Sequence, residues 1–548
     1  MTALDAYDAR RALGASGLLR EFNDAGVLAP ADVHVARRLA ELAGEHDEWA
    51  SLAAALAVRG PRLGHVYVDL ETIRDTATVD AEEPVDLATL PWPAADAWLA
   101  RLEASPLVAV GEDGAGEADR PLRLVGTSLY LDRYWREERR LAADLRALRD
   151  RPPAAVGAAV LADGLARLFG DDADSRQRLA AEAAVRRRFA VVAGGPGTGK
   201  TTTVARIVAL LYEQAAAGGS AEPLVGLAAP TGKAAARLIE SVHEEAAGLS
   251  VSDAVRARLL ALDASTLHRL LGWRPGTHSR FRHDRANRLP HDVVIVDETS
   301  MVSLSLMARL VEAVRPEARL VLVGDPGQLT SIEAGAVLGD IVGPAADATS
   351  AGGGIVILDR VHRYGGAIAR VAESIRRGDA DAVIEALDEV TWITSDAAAS
   401  EDALAPIHDA AVASARAVME AAAAGAGERA IEALGAFRLL CAHRRGDHGV
   451  TAWTSRIESW LAQEVDGFGA EGDWYVGRPL LVTENDYGLR LYNGDTGVVV
   501  ASGPGRVTAA FERHGDVVEF SPTRLAAVET VYAMTVHKSQ GSQFDTAA

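Results

Sequence analysis

Gly194 and Gly199 bracket four residues, and Lys200 and Thr201 follow directly, within the stretch GGPGTGKTTT. This is the G-x-x-x-x-G-K-[ST] pattern. Glycines leave room for backbone N–H groups to converge on phosphate oxygens, where a side chain would block approach. Lys200 suits the β- and γ-phosphates of a nucleotide, and the Thr201 hydroxyl suits Mg²⁺. An apolar run, Phe189 to Val192, precedes the loop, and TTTVARIVALLYEQ reads as a helix after it. The loop therefore opens a helix, whose N-terminal dipole favours anions. The expected nucleotide contacts are Gly195, Pro196, Gly197, Thr198, Gly199, Lys200, Thr201 and Thr202.

A second apolar run, VVIVDETSM, ends in Asp297 and Glu298. At a strand terminus Asp297 could hold Mg²⁺ through water, and Glu298 could orient and deprotonate an attacking water. A third run, RLVLVGDPGQL, leads to Gln328, an amide that could sense the γ-phosphate or position water. Gln177, ahead of the phosphate loop, could read adenine. Charge developing on the transferred phosphoryl group calls for a cation. Arg363, in LDRVHRYGG, is the candidate, with Arg360 as its neighbouring competitor.

These residues need a scaffold that brings distant strand ends together. RFAVVAG, LVGLAAP, VVIVDE and RLVLVGD alternate with helical stretches, which argues for a parallel sheet flanked by helices. Before it, residues 1 to about 110 are Ala/Leu-rich, acidic and mostly helical in pattern. VGEDGAGEADR marks a break at 110–120. GPAADATSAGGG (343–354) reads as a linker, AAAAGAGE (421–428) as a loop, and a second α/β segment follows from about 355. Within it, RPLLVTEN, DTGVVVAS, RVTAAFER and DVVEFSP alternate with turn residues, predicting a small β insertion at about 478–530.

The whole chain has 548 residues and a formal net charge of −21, which argues against coating nucleic acid over its entire surface. It does not exclude a local basic track. Arg269, Arg274, Arg280, Arg282, Arg285 and Arg288, interleaved with Trp273 and Phe281, fit a single-strand channel with stacking platforms. One cysteine, Cys441, excludes an intramolecular disulfide framework. Neither a secretory signal nor an apolar run of membrane length is visible, so the expected setting is the cytoplasm, with no membrane partner.

Of 56 lysines and arginines only Lys200, Lys233 and Lys538 are lysine. An ammonium is a compact point charge with three rotatable donors, which a guanidinium cannot copy. Each lysine is therefore expected where only an ammonium fits. Their settings are GGPGTGKTTT, APTGKAAARL and TVHKSQGSQF.

Taken in order, GGPGTGKTTT, APTGKAAARL, STLHRLLG, VIVDETSM, VGDPGQLTSIEAG, LYNGDTGVV and TVHKSQGSQFD resemble superfamily 1 helicases. In detail they look most like the RecD family, the alpha subunit of exodeoxyribonuclease V (RecBCD). SLYLDRYWREERRLAADL adds to that likeness, which covers roughly residues 120–548 and loosely the part before. The resemblance implies tandem RecA-like motor domains in an α/β fold, with a helical N-terminal domain at 1–120. The first motor domain would span 121–345. The second would span 346–548 and carry an SH3-like insertion at about 478–530. It implies an ATP- and Mg²⁺-dependent motor moving 5′ to 3′ on single-stranded DNA from a duplex end. It also implies assembly with RecB-like and RecC-like subunits in a heterotrimer for break repair and recombination. The acidic N-terminal segment would serve assembly. The family's DNA contacts map to Pro230, Thr231 and Lys233, then Thr266 and His268, then Thr535, His537, Lys538 and Ser539. Lys and Thr donors suit phosphates, which position a strand without reading its sequence.

Two departures from the family pattern stand out. Gln543 replaces a usual Glu, which puts a nucleotide contact by that side chain in question. The sequence ends at Ala548, ahead of the family's final arginine motif, so the expectation is either a fragment or a motor of weak hydrolysis with nucleotide binding retained. Two other readings stay open. A stand-alone RecD-like helicase would have a longer N-terminal region with helix-hairpin-helix repeats. A nucleotide-dependent DNA-binding subunit would have no motor activity.

Overall fold

The computed structural model describes residues 10–79, 86–112, 119–152, 155–170, 175–274, 280–329, 331, 333–343, 353–358, 366–388, 390–391, 393, 400, 402–465, 468–469, 472–486, 488–513 and 516–548. The chain divides into two compact units. One comprises Met1–Gly195, Arg206–Gly226 and His268–Asp359; the other comprises Pro196–Ala205, Leu227–Leu267 and Arg360–Ala548.

The N-terminal region contains helices α1 (Gly17–Asp24), α2 (Pro30–Ala43), α3 (Glu48–Arg62) and α4 (Ala95–Ala104). They enclose a core built on Phe22, Leu52, Leu56, Trp98 and Leu102. Polar groups inside it are paired, as burial requires. Asn23 accepts from the Ala12 amide at 2.8 Å and donates to the Leu28 carbonyl at 2.7 Å. Asp32 is fully buried and bound by Arg62. The region is not purely helical. Strands β1 (Tyr67–Asp69), β2 (Val108–Val110), β3 (Leu122–Val125) and β4 (Ser128–Leu131) form a sheet in the order β1-β4-β3-β2. Runs of three or four residues are too short to display a period of two.

Helix α5 (Asp132–Arg149) joins this region to the main sheet. Its buried Glu137 accepts from the Ser305 hydroxyl at 2.6 Å and pairs with Arg309 at 3.5 Å. Helices α6 (Ala158–Phe169) and α7 (Arg176–Arg186) follow, and α7 packs on β5 (Phe189–Gly194). Helix α8 (Lys200–Ala217) leads to β6 (Val225–Ala229), α9 (Gly232–Gly248) and β7 (Ala264–Thr266). Strand β8 (Val293–Val296), helix α10 (Leu304–Ala313), β9 (Arg319–Gly324) and β10 (Ile355–Leu358) complete it.

These six strands form one sheet in the order β10-β5-β9-β8-β6-β7. Pairs β10–β5, β5–β9, β8–β9 and β6–β7 are parallel. Strands β5, β6 and β8 are buried throughout. A sheet covered on both faces needs continuous apolar runs, which is why they lack alternation. The main sheet reaches Leu358, because β10 pairs with β5 along Val191–Gly194. Residues 344–352 of the expected linker lie outside the described residues.

Helices α11 (Ala405–Ala423) and α12 (Gly427–Gly435) flank a three-residue turn where a loop is expected. Strand β11 (Phe437–Cys441) and helix α13 (Val450–Glu464) come next. An antiparallel sheet then forms from β12 (Pro479–Val482), β13 (Thr496–Ala501), β14 (Val507–Arg513), β15 (Asp516–Phe520) and β16 (Val528–Thr530), in the order β15-β14-β13-β12-β16. Its core holds Leu480, Val499, Phe511 and Phe520. Strand β17 (Ala533–Thr535), helix α14 (Val536–Ser539) and β18 (Thr546–Ala547) follow, with β17 and β18 parallel to β11. No described helix is long and apolar enough to cross a membrane.

Candidate nucleotide and nucleic-acid site

The carboxyl ends of β5, β9 and β8 lie side by side on one edge of the main sheet, and each ends in a segment expected to do chemistry. From β5 the chain enters Gly195–Gly199 and then α8. Gly197 and Gly199 have φ of +75° and +80°, a conformation that glycine adopts without strain. A Cβ built at Gly195 would meet nothing within 4 Å, so the loop keeps open space beside its backbone. Thr198 is buried, while Lys200, Thr201 and Thr202 are partly exposed. Thr203 closes the first turn by donating its hydroxyl to the Gly199 carbonyl at 2.8 Å. Gln177 is the second residue of α7 and partly exposed.

At the end of β8, Asp297 is 8% exposed and accepts from the Glu298 amide at 2.8 Å. Glu298 takes φ +50° and ψ +40°, the left-handed region that non-glycine residues rarely adopt. Such backbone strain costs about 1–3 kcal/mol and persists only where the surroundings impose it. It turns the chain at once into the 3₁₀ turn Thr299–Met301. At the end of β9, buried Asp325 accepts from the Gly327 amide at 2.9 Å, and the Gln328 amide bonds the Asp325 carbonyl at 3.2 Å. That turn presents a partly exposed Gln328. Arg363 and its competitor Arg360 lie outside the described residues.

The residues expected to contact DNA have diverse settings. Thr231 caps α9, accepting from the Ala234 amide at 3.1 Å, and Thr535 caps α14, accepting from the Lys538 amide at 3.3 Å. As acceptors, both hydroxyls keep their own proton to donate. Pro230 is partly exposed, His537 exposed, and Ser539 bonds the Val536 carbonyl at 2.8 Å. Thr266 ends β7 and is 7% exposed. The His268 ring lies 5.8 Å from Phe281, and burial lowers its pKa, favouring neutral imidazole. Lys233 is not a surface ammonium. It donates to the Ser542 hydroxyl at 2.7 Å and to the Gly494 carbonyl at 3.4 Å. Burial, then Arg237, pushes its pKa down to about 8.

The basic run around Trp273 is divided. Trp273 pairs with Phe281 through an isolated antiparallel bridge and is 42% exposed, open to stacking. Arg285 instead pairs with Asp144 of α5 at 2.5 Å, and Arg288 donates to the Val314 carbonyl at 2.6 Å. These two arginines hold the segment in place, a role that composition alone does not separate from phosphate contact.

Comparison with known proteins adds the family. Residues 177–334 match an AAA domain, and residues 24–130 match the N-terminal domain of the RecBCD enzyme subunit RecD. The RecBCD enzyme subunit RecD of Mycolicibacterium smegmatis is 51% identical over 95% of this chain and 88% of its own length. The chain belongs to the RecD family. The RecBCD enzyme subunit RecD of Mycobacterium tuberculosis H37Rv is likewise 51% identical, over 97% of this chain and 88% of its own. An ATP-dependent RecD2 DNA helicase of Deinococcus radiodurans is 31% identical over 81% of this chain and 52% of its own. This RecD-family chain has a nucleotide-using core at residues 177–334.

Sequence reasoning passed over several residues that shape this RecD-family site. The Thr299 hydroxyl donates to the Val323 carbonyl at 2.7 Å, and a Cβ at Gly324 would lie 2.7 Å from that hydroxyl oxygen. Tyr492, Gly494, Asp495 and Ser542 surround Lys233 or the turn that faces it. Their signal was present as the segments LYNGDTGVV and SQGSQF, read as motifs without a partner.

Proposed function

We propose that this chain is the 5′-to-3′ DNA motor of a RecBCD-type helicase–nuclease, assembled with RecB-like and RecC-like subunits and acting on single-stranded DNA at a duplex end. The observation that supports it most is the arrival of the phosphate loop, Asp297–Glu298 and Asp325–Gln328 at the carboxyl ends of three adjacent parallel strands. The open backbone of Gly195–Gly199 fits a polyphosphate, and Thr201 with Asp297 offers the hydroxyl and carboxylate donors that Mg²⁺ prefers. When bound, Mg²⁺ would neutralise phosphate charge.

In this reading the chain's own groups divide the work. The Gly197 and Gly199 amides and Lys200 hold the phosphates. Glu298 takes a proton from the attacking water, and Gln328 positions that water or reports the γ-phosphate. Arg363, or Arg360, supplies positive charge from the second motor domain, and Gln177 contacts the base. Thr231, Pro230, Thr266, His268, Thr535, His537, Lys538 and Ser539 line the path of the strand. The first motor domain would run from about 121 through β10, and the second from there to the end, with β12–β16 as its insertion. The acidic N-terminal region would serve assembly.

Lys200→Gln tests the reading. Loss of DNA-stimulated ATP hydrolysis and of unwinding supports a motor. Unchanged DNA effects would establish a nucleotide-dependent binding subunit instead. Co-purification of the native chain without RecB- or RecC-like proteins would favour a stand-alone helicase.

A further inference from the structure

Three segments that lie far apart in the sequence meet at one ammonium. Lys233 follows Gly232 at the start of α9. Gly494 closes the turn between β12 and β13, and Ser542 follows α14. Lys233 Nζ donates to both of the latter, at 3.4 Å and 2.7 Å.

Each partner is held in place by its own local structure. The Tyr492–Asp495 turn is closed by the Asp495 amide on the Tyr492 carbonyl at 2.9 Å and by the Tyr492 amide on Asp495 Oδ2 at 2.7 Å. The Gly494 amide bonds the Val482 carbonyl at 2.9 Å, which fixes the carbonyl offered to Lys233. The Ser542 amide bonds the Ser539 carbonyl at 2.7 Å, just after Gly541 at φ +76°. Gly232 admits the turn: a Cβ there would lie 2.2 Å from Tyr492 Cδ1. Arg237 and Arg438 oppose the ammonium charge, and Asp495 and Glu512 favour it.

A flat guanidinium is too large for two bonds aimed at one point charge, which accounts for a lysine in an arginine-rich chain. Two of its three N–H donors are committed to acceptors within the protein. We propose that Lys233 is a positioning residue that couples the T-G-K segment to the Y-N-G-D turn and to the S-Q-G-S segment, and not a phosphate ligand of the DNA strand. This deepens the motor reading and rests on it. Hydrolysis at the sheet edge must move segments that grip DNA, and Lys233 joins two such segments, T-G-K and S-Q-G-S, to the Y-N-G-D turn.

The test compares Lys233→Met, Lys233→Arg, Ser542→Ala and the Lys233→Met/Ser542→Ala double variant in the full chain with its partner subunits. Coupling predicts that each single variant lowers base pairs unwound per ATP several-fold, and that the double variant is no worse than Lys233→Met. It predicts an unchanged salt dependence of oligo-dT affinity. A phosphate contact predicts loss of about 0.7 from the log–log salt slope in Lys233→Met, with Ser542→Ala silent. Either of those two results overturns the proposal. Amide hydrogen exchange at Tyr492–Asp495 gives a readout independent of turnover. It should rise alike in Lys233→Met and Ser542→Ala, and unchanged exchange in both also overturns the coupling. If the wild-type complex lacks DNA-stimulated hydrolysis, the motor reading fails, while the exchange result still decides the contact.

Discussion

Thr299 donates its hydroxyl to the main-chain carbonyl of Val323 at 2.7 Å, tying the end of β8 to the end of β9. Thr299 follows Glu298 directly, and Val323 comes two residues before Asp325. The bond therefore sets the spacing between the carboxylates that follow two strands. Gly324 makes the approach possible, since a Cβ there would meet Thr299 Oγ1 and Leu338 Cδ2, each at 2.7 Å. Gly324→Ala should destabilise the fold by about 1–3 kcal/mol through overpacking. Thr299→Val should cost about 1 kcal/mol for the lost bond. Both should lower kcat more than nucleotide affinity, because they displace Glu298 and leave the phosphate loop intact. Thermal unfolding and steady-state hydrolysis measured on the same samples check this.

Glu298→Gln separates binding from chemistry. The amide keeps the shape of the side chain but cannot accept the water's proton. Loss of a general base costs about 10²-fold or more. Hydrolysis should fall by at least that, while ATP affinity stays within about threefold, since Lys200 and the loop amides carry the binding. Retention of most of the turnover would assign the base elsewhere.

The phosphate loop and its strand were legible because their chemistry fixes both residue type and spacing. Four buried β-strands were legible because a sheet covered on both faces demands unbroken apolar runs. The N-terminal sheet was not, since β1 to β4 have only three or four residues each. The β10 pairing was hidden because a strand names its sheet only through contacts with a distant partner. Residue type does not name the partner at Lys233, Arg285 and Arg288. A positive charge near a DNA motif reads the same whether it faces a phosphate or, as here, Ser542, Asp144 or the Val314 carbonyl.

Arg285→Ala tests the role of that ion pair. Its partner Asp144 lies on α5, so the change removes a tie between α5 and the loop before β8. Partly exposed ion pairs contribute about 0–1 kcal/mol, which is the expected loss of stability. Single-strand affinity should stay within about twofold, with an unchanged salt slope. Trp273→Ala, which removes an exposed ring, should instead weaken binding by about 1–3 kcal/mol, as expected for a stacking platform.

Glu138 and Asp340 supply a pH signature. Burial raises the pKa of each, and for Glu138 the neighbouring Asp340 adds to the effect against Arg139. Carboxyl groups raised in the folded state favour the neutral form. They oppose folding least below their unfolded pKa, and the penalty grows as pH rises through the folded pKa. Glu138→Gln removes that penalty. It should raise the melting temperature near pH 7.5 and give little or no gain near pH 4. An equal gain at both pH values would assign the effect to packing.

Gly232→Ala is the sharpest test of how α9 meets the Tyr492 turn. A Cβ would lie 2.2 and 2.3 Å from Tyr492 Cδ1 and Cγ, closer than real contacts allow. Alanine otherwise favours a helix over glycine by about 1 kcal/mol, so helix propensity and packing predict opposite signs. The clash should win, because its nearest atoms belong to the ring base and not to a flexible tip. Gly232→Ala should therefore destabilise the fold and loosen the Gly494 carbonyl from Lys233. Tyr492→Ala removes Cδ1 and Cγ and leaves Cβ at 2.9 Å, so it should relieve most of the clash. In the Tyr492→Ala background the glycine substitution should cost clearly less. A cycle of four proteins, followed by thermal unfolding and by unwinding per ATP, measures that relief. If Gly232→Ala costs the same with and without Tyr492, helix α9 does not depend on this ring for its seat. The lysine beside it would then owe its place to Ser542 alone.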